Sequence, residues 1–217
     1  MHYRLIPNSF HFENLSLFNT SYRGLHMKKN NTYENDVRIL GGKFKGKLLP
    51  VLDVEGLRPT PSRVRETIFS WIKDSLGNAK VLDLFAGSGA LGLEAYSRGA
   101  KDVTLVELDK DNSSNLKEIA KSMSYDEIHV INDDALHFLD NVSSTFNIVF
   151  IDPPYKLDIY EKVLEKLLDK NLIDDDSLIY VEMRNGSNKI VPGYEIIREE
   201  NAGQSKYSLW TKSKLLF

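Results

Sequence analysis

The second half of the chain alternates short apolar runs with longer amphipathic segments. The apolar runs predict β-strands near residues 80–85, 103–107, 128–132, 146–152 and 177–182. Between these runs, apolar residues recur every three or four positions, which is typical of helices that cover one face of a sheet. Regular alternation of strands and helices predicts an α/β protein with a doubly wound, mostly parallel sheet.

The end of the chain departs from that alternation. Two short runs rich in β-branched and aromatic residues, 194–198 and 207–211, flank Gly203. No helical segment separates these runs, so they predict an antiparallel hairpin added to the parallel sheet. A Rossmann-like, seven-stranded sheet with this ending is typical of class I methyltransferases, and dinucleotide-binding folds generally lack it.

The first part of the chain predicts two segments ahead of the main domain. Residues 1–35 are rich in Asn and Ser without sustained periodicity, and we expect a poorly ordered or atypical arm. Residues 36–60 contain two short apolar runs around glycine turns, which predict a small basic β-hairpin extension. The main domain is then expected to span residues 61–217.

A helix is predicted at the start of the main domain. Ser62 follows a proline and is the expected N-cap. Val64, Ile68 and Ile72 form an apolar stripe with helical spacing, which leaves Arg63 off the core-facing side.

Composition narrows the class of protein. The chain has 217 residues, 41% of them hydrophobic, which is enough for one main core and a small appendage. It has no cysteine, no apolar run long enough to span a membrane, and five histidines without metal-ligand spacing. We therefore expect a soluble cytoplasmic protein that needs no metal ion and no membrane, and that acts as a monomer.

The formal net charge of −3 hides a basic segment. From Lys28 to Lys73, ten basic residues stand against five acidic ones. Clustered Lys and Arg side chains neutralise nucleic-acid phosphates, although a charged stretch is more often only a solvated surface. Within the predicted hairpin, Lys43, Lys45 and Lys47 are the candidate phosphate contacts.

A glycine-rich loop follows the first strand of the predicted parallel sheet. Gly87, Gly89 and Gly92 match the pattern G-x-G-x-x-G, which binds dinucleotides and related cofactors. Glu107 ends the next strand about 20 residues on, where such folds hold ribose hydroxyls. Asp83 ends the first strand, and its charge suits the ammonium group of a methionine better than a diphosphate. The pattern therefore favours S-adenosylmethionine over NAD.

Asp152, Pro153, Pro154 and Tyr155 directly follow the fourth strand of that predicted sheet. The two prolines have no backbone N–H, so the turn offers acceptors alone. The Asp152 carboxylate and the Pro153 carbonyl could accept both N–H bonds of an exocyclic amine, while Tyr155 could stack on its ring. The motif predicts methylation of an amino group on a nucleobase, and an ordinary strand-ending turn is the competing interpretation.

Six segments of the chain carry a family resemblance. They are Arg38–Gly42, Leu57–Thr60, Arg63–Thr67, Asp83–Gly92, Asp152–Tyr155 and Ile179–Glu182. Together they resemble the RsmD family of bacterial methyltransferases, from about residue 36 to the C-terminus. The resemblance implies a class I methyltransferase fold with S-adenosylmethionine as methyl donor. It also implies that the acceptor is the N2 amine of one guanine in 16S ribosomal RNA, presented by the 30S subunit or an assembly intermediate.

The resemblance further assigns residues to the donor. Those expected to line its methionine part are Asp83, Gly87 and Gly89, and Phe85, Ala86 and Ser88 are also assigned to donor binding. Glu107 is expected to accept hydrogen bonds from the ribose, and Leu108 to cover one face of the adenine. Asp134 and Ala135 are assigned to the adenine amine and edge, with a simple helix N-cap as the alternative role of Asp134.

Four residues that precede the donor loop are assigned to the RNA side of the site. They are Arg58, Thr60, Arg63 and Arg65. Arg63 and Arg65 could contact either the donor carboxylate or an RNA phosphate, and the sequence leaves both interpretations open.

Two other functions remain compatible with the motifs. The amine-accepting turn alone does not distinguish guanine from adenine, so an adenine-N6 methyltransferase of DNA or RNA is one alternative. The other is a noncatalytic ribosome-assembly or RNA-binding protein, which would not need an intact donor site.

Overall fold

The computed structural model describes residues 36–52, 60–124, 126–154, 156–187 and 190–214. The predictions for residues 1–35, for Arg58 and for Tyr155 lie outside the described residues.

Two sheets and five α-helices make up the described part of the chain. The small sheet contains β1 (Val37–Arg38) and β2 (Leu48–Leu49). The strands of the large sheet are β3 (Lys80–Asp83), β4 (Asp102–Glu107), β5 (Ile128–Asn132), β6 (Phe146–Ile151), β7 (Ile173–Arg184), β8 (Tyr194–Ala202) and β9 (Ser205–Lys212). The α-helices are α1 (Ser62–Trp71), α2 (Ala90–Ser97), α3 (Lys110–Lys121), α4 (Ala135–Asn141) and α5 (Tyr160–Asp169), and Lys73–Ser75 form a 3-10 turn.

The large sheet has the strand order β5-β4-β3-β6-β7-β9-β8. Strands β3 to β7 are parallel, and β9 lies antiparallel between β7 and β8. The predicted doubly wound sheet with a C-terminal antiparallel hairpin is thus confirmed. Strand β7 is longer than the predicted 177–182 because it also includes the polar residues Asp174–Asp176, and its pairing with β6 is irregular between Phe146 and Ile148.

Helices cover both faces of the large sheet. On one face, side chains of α1, α2 and α3 pack with strand residues such as Phe150 and Tyr180. On the other face, α4 and α5 pack with residues such as Val149 and Ile179. Successive strand residues alternate between these two cores, as a pleated sheet covered on both faces requires. No helix of the described residues is long and apolar enough to cross a membrane.

The N-terminal hairpin, defined here as residues 37–49, is tied into the first of these cores. Strand β1 pairs with β2 in antiparallel register, and the buried side chains of Ile39 and Leu49 join the core formed by α1, α2 and α3. The backbone N–H groups of Leu40 and Gly41 donate to the Glu94 carboxylate at 2.7 and 2.8 Å. The hairpin predicted from the glycine turns is therefore anchored to helix α2.

The N-cap of helix α1 lies one residue before the predicted one. The N-cap is Pro61, which is extended at φ −56° and ψ 145°, and no side chain caps the helix. The Pro61 carbonyl accepts the Arg65 N–H at 3.0 Å, so Ser62 is already inside the first turn. The predicted cap at Ser62 is therefore wrong. The predicted apolar stripe is right, because Val64, Ile68 and Ile72 are all buried.

Candidate active site

Acidic residues end three neighbouring strands at one edge of the large sheet. Strand β3 ends at Asp83, β4 ends at Glu107, and Asp152 directly follows β6. The chain passes from β3 outward to β5 and then returns to the other side of β3, so the strand order reverses between β3 and β6. Doubly wound sheets bind their ligands at such a reversal. Asp83 and Asp152 lie on its two sides.

The loop between β3 and α2 depends on its glycines. Gly87 and Gly89 have φ angles of 52° and 74°, in the left-handed region that favours glycine. A Cβ atom at Gly89 would lie 2.7 Å from the Leu116 side chain. The other members of the loop are the buried Ala86 and Ser88 and the half-buried Phe85. Glycine at position 89 therefore allows the loop to pack tightly against the side chains of Leu93 and Leu116.

Gly92 brings helix α2 against strand β3. A Cβ atom at Gly92 would lie 2.3 Å from the Leu105 side chain and 3.2 Å from the Asp83 Cβ. Without that atom, the Gly92 N–H donates to Oδ2 of Asp83 at 2.9 Å. The third glycine of the motif thus permits the close helix–strand packing and orients the Asp83 carboxylate.

Asp83 is a buried acid at the reversal, with 2% of its surface exposed. Burial raises the pKa of Asp83 to about 7, against the opposing effect of the Gly92 hydrogen bond. A cation beside the carboxylate would favour its ionised form. A buried acid whose ionised form gains from a cation, next to a loop whose glycines have positive φ angles, fits the amino-acid part of S-adenosylmethionine.

Glu107 joins the ends of β3 and β4. Its two carboxylate oxygens accept the N–H groups of Gly87 and Asp109, each at 2.8 Å. Burial raises the pKa of Glu107. A carboxylate has about four lone-pair sites, so these bonds leave capacity for ribose hydroxyls. Leu108 is 68% exposed beside it, as a residue that covers an adenine face would be.

Asp134 is the N-cap of helix α4. Its Oδ1 atom accepts the N–H groups of Leu136 and His137 at 2.9 and 3.1 Å. The capping role that competed with adenine binding is therefore present, and the proposed adenine contact must coexist with it. Ala135 is the buried first residue of α4.

Asp152 faces the reversal from the side of β6. The Thr60 hydroxyl donates to its Oδ2 atom at 3.4 Å, which brings the segment before α1 to the site. Burial raises the pKa of Asp152 well above its usual range, and the neighbouring carboxylates of Glu182 and Asp83 raise it further. Such a shift is typical of functional acids.

The two prolines after Asp152 form a turn. Pro153 is buried and Pro154 is exposed, and the Pro154 carbonyl accepts the Leu157 N–H at 2.7 Å. This bond closes the turn that follows Asp152 and Pro153, the two proposed acceptors of the amine.

The motifs assign no individual role to Glu182, which the structure brings to the site. It lies near the end of β7, has 8% of its surface exposed, and accepts the Tyr180 hydroxyl hydrogen bond at 2.9 Å. The detectable signal was an acid directly after the apolar run 178–181, inside one of the segments that resemble the family. Across the part of the chain that the structure describes, no group of three or more acidic or histidine side chains could hold a metal ion.

The lysines of the N-terminal hairpin lie away from this edge. Lys43 and Lys45 are exposed and Lys47 is half-buried. The Lys43 N–H donates at 2.7 Å to the Ser97 carbonyl, at the end of α2. Because α2 starts at the glycine loop and runs back across the sheet, its length of about 12 Å separates the hairpin tip from the donor loop. The structure does not bring these lysines together with Asp152.

Arg63 and Arg65 have different environments. Arg63 is exposed on α1. Arg65 is 2% exposed, and its guanidinium contacts the Glu94 carboxylate at 3.5 Å and donates to the Arg38 carbonyl at 3.0 Å. The assignment of Arg65 to RNA or to the donor carboxylate is therefore corrected, because its side chain is used inside the protein.

The strand order and the C-terminal antiparallel hairpin define a class I methyltransferase fold. A family model described as "Conserved hypothetical protein 95" matches residues 37–211. Ribosomal RNA small subunit methyltransferase D of Escherichia coli (strain K12) is 41% identical over 187 residues, which cover 85% of this chain and 94% of that protein. Its Haemophilus influenzae counterpart is 39% identical over 182 residues, which cover 82% and 94%. The chain belongs to this family, the RsmD family, and the resemblance drawn from its motifs is confirmed.

Solved structures agree with this assignment. The yhhF protein of Escherichia coli superimposes with a TM-score of 0.75 at 39% identity, over 82% of this chain and 98% of that one. A structure from Haemophilus influenzae gives a TM-score of 0.72 at 36% identity, over 82% and 99%. SMU.776, whose crystal structure is complexed with SAH, shares the fold at 16% identity and a TM-score of 0.58, over 72% of this chain and 50% of that one.

Proposed function

We propose that the chain transfers a methyl group from S-adenosylmethionine to the exocyclic N2 amine of a guanine in 16S ribosomal RNA. The observation that carries the proposal is the position of Asp83 and Asp152 on the two sides of the strand reversal. One acid suits the ammonium of the donor and the other suits the amine of the acceptor. Relatives that bear the name ribosomal RNA small subunit methyltransferase D support the choice of RNA.

The donor would be held by the ends of β3, β4 and β5. Asp83 would accept from the ammonium group, and the loop from Phe85 to Gly89 would surround the methionine part. Glu107 would accept from the ribose, while Leu108, Asp134 and Ala135 would contact the adenine. When bound, S-adenosylmethionine supplies a methyl group on a sulfonium, which leaves as a neutral thioether.

The acceptor amine needs orientation, because the lone pair of guanine N2 is delocalised into the ring. Hydrogen bonds from the two N–H groups to the Asp152 carboxylate and the Pro153 carbonyl favour a more tetrahedral nitrogen. This geometry restores lone-pair character and aims it towards the donor side of the cleft. The negative charge of Asp152 also stabilises the positive charge that develops on nitrogen.

Asp152 is also suited to accept the proton that the amine loses. A carboxyl group with a raised pKa is a stronger base than an ordinary aspartate when it is ionised. The same burial that raises its pKa therefore serves both orientation and proton transfer. After the transfer, the proton passes to water.

The substrate base must leave its stack before it reaches this turn. A guanine in a loop, or one flipped out of a helix, can place its amine at Asp152 and its ring against Tyr155. Arg58, Thr60 and Arg63 precede or begin α1 and are proposed to line the RNA entrance, with Lys43, Lys45 and Lys47 further out. The substrate particle is proposed to be the 30S subunit or an assembly intermediate, which a monomeric enzyme would meet in the cytoplasm.

Purified protein, S-adenosylmethionine and small-subunit particles from a strain that lacks the enzyme would test the proposal. We expect one modified guanine in 16S RNA, identified as N2-methylguanine by mass mapping. Asp152→Ala should lower the single-turnover rate by about a hundredfold or more, because one oriented acceptor is lost. The affinity for the donor, measured by calorimetry, should change little.

The exposed Glu195 on β8 provides a matched control, since Glu195→Gln also removes one carboxylate charge. Methylation of adenine, or of no base, would refute the proposal. Near-normal turnover of Asp152→Ala would show instead that the carboxylate is only structural.

A further inference from the structure

Glu182 occupies the position beside Asp152 on the neighbouring strand. Strands β6 and β7 are parallel, and their register pairs Phe150 with Tyr180 and Ile151 with Val181. The next step along both strands places Asp152 alongside Glu182, and adjacent strands are about 4.8 Å apart. Residues two apart share a face, so both acids lie on the sheet face that carries Phe150 and Tyr180.

The Glu182 carboxylate is held in one orientation. The Tyr180 hydroxyl donates to its Oε2 atom at 2.9 Å. Tyr180 is itself fully buried, and its ring packs edge-on against Phe150 with centroids 6.1 Å apart. This bond fixes the direction in which the Glu182 carboxylate points. The amine-accepting turn therefore has a second, oriented acceptor next to it.

Two adjacent acceptors distinguish the purines by their edges. Guanine presents donors at both N2 and N1, because its N1 carries a hydrogen. Adenine presents one exocyclic amine and an N1 lone pair, which a carboxylate repels. A single carboxylate selects an amine, whereas two side by side select an amine that is next to a ring N–H.

We propose that Glu182 accepts the N1–H of the target guanine and thereby makes the site select guanine over purines that lack this hydrogen. The inference rests on the proposed guanine-N2 function and deepens it. It assigns Asp152 to the exocyclic amine, Glu182 to the neighbouring ring nitrogen, and Tyr180 to the positioning of Glu182.

The test compares guanine with 2-aminopurine at the target position of otherwise identical RNA in reconstituted particles. The analogue keeps the amine at carbon 2 but lacks the N1 hydrogen, so its N1 is an acceptor. Single-turnover rates on both RNAs would be measured for the unmodified protein and for Glu182→Gln. A glutamine amide can donate to the analogue's N1, so discrimination should fall by about tenfold to a hundredfold, the range for losing a charged hydrogen bond.

Tyr180→Phe provides a second variant that keeps the carboxylate but removes its positioning bond. It should also lower the guanine preference, by a smaller factor. Glu195→Gln should leave the preference unchanged. The ratio of the two rates is the informative readout, because a purely structural role would lower both rates equally and leave their ratio constant.

A preference that stays constant in Glu182→Gln and in Tyr180→Phe would overturn the inference, even if both variants are slow. That outcome differs from failure of the proposed function, in which the unmodified protein itself would not methylate the guanine particles. If Glu182→Gln is too unstable to measure, the preference of Tyr180→Phe alone decides, with no change counting against the inference.

Discussion

Gly92 donates its backbone N–H to the Asp83 carboxylate at 2.9 Å, inside the packing between α2 and β3. This single bond does not offset the burial of the acid, since the pKa of Asp83 remains raised to about 7. The folded protein therefore contains a carboxyl group whose ionisation is disfavoured by burial. If Asp83 binds the ammonium group of the donor, as proposed, the burial that prepares this contact also lowers stability at neutral pH.

Replacing Asp83 by Asn should stabilise the protein at neutral pH and abolish donor binding. The raised pKa means that the folded state binds the Asp83 proton more tightly than the unfolded state, whose pKa is 3.8. Stability is therefore lost as pH rises from about 4 to about 7. Between pH 5 and pH 8, Asp83→Asn should gain about 2–3 kcal/mol relative to the unmodified protein. Urea unfolding at both pH values measures this difference, and parallel pH dependences would contradict it.

The rate of methyl transfer should fall on acidification at a pH well above the usual range of an aspartate. Asp152 must be ionised to accept from the amine, and its pKa is raised by burial, by Glu182 and by Asp83. Activity is expected to fall as pH drops through this raised pKa. Glu182→Gln removes one of the raising charges, so its acid limb should move to lower pH. Single-turnover rates across a pH series test this, and an unshifted limb would exclude coupling between the two carboxylates.

Neutralising Lys43, Lys45 and Lys47 together tests whether RNA reaches the tip of the N-terminal hairpin. If all three contact phosphates, the slope of log K against log salt should flatten by roughly 2 to 3. Donor affinity should stay unchanged, because the tip lies at the far end of α2. Filter binding across a salt series supplies the measurement.

The matched control for these lysines is a triple replacement of Lys162 and Lys166 on α5 and of Lys170 at its C-cap, on the opposite face of the sheet. It removes the same charge and likewise includes two exposed lysines and one half-buried lysine. Identical slopes for the two triple variants would remove the hairpin tip from the RNA surface.

Arg65→Ala should affect stability, whereas Arg63→Ala should affect RNA binding. Arg65 is paired with Glu94 in the interior, so its loss leaves a buried carboxylate with fewer partners and should cost about 3–5 kcal/mol. Arg63 is exposed, and its loss should change stability by less than about 0.5 kcal/mol. Only Arg63→Ala should reduce the salt dependence of RNA binding, by roughly 0.7 to 0.9 if it contacts one phosphate. Equal stabilities of the two variants would disprove the internal role of Arg65.

The sheet could be predicted because each buried strand is a short apolar run and the final hairpin lacks a helix. The polar start of β7 could not, since Asp174–Asp176 have no apolar pattern and lie in the irregular stretch between the pairs Phe146–Ile173 and Ile148–Leu178. The positions of Asp83 and Asp152 followed from their places at strand ends. Because the carboxyl ends of parallel strands lie at the same end of a sheet, their closeness could be predicted without knowledge of side-chain contacts.

The internal role of Arg65 was missed because the predicted core-facing stripe of α1 was built on Val64. Arg65, Ile68 and Ile72 also have helical spacing, so a charged residue on the core-facing side of α1 was visible in the sequence. Its partner could not be identified, because Glu94 lies 29 residues further along the chain. Glu182 was likewise visible as an acid directly after an apolar run, but its neighbour Asp152 is set by the register of β6 and β7.

The contacts of the N-terminal hairpin have a consequence for the order of folding. Leu40 and Gly41 find their acceptor in Glu94, which follows them by 54 and 53 residues. The two strands of the hairpin have two residues each, too few to hold a hairpin in water without support. During synthesis, this segment therefore leaves the ribosome well before the helix that stabilises it. We expect residues 36–52 to remain unstructured as an isolated peptide and to acquire their native form only at a late, long-range step.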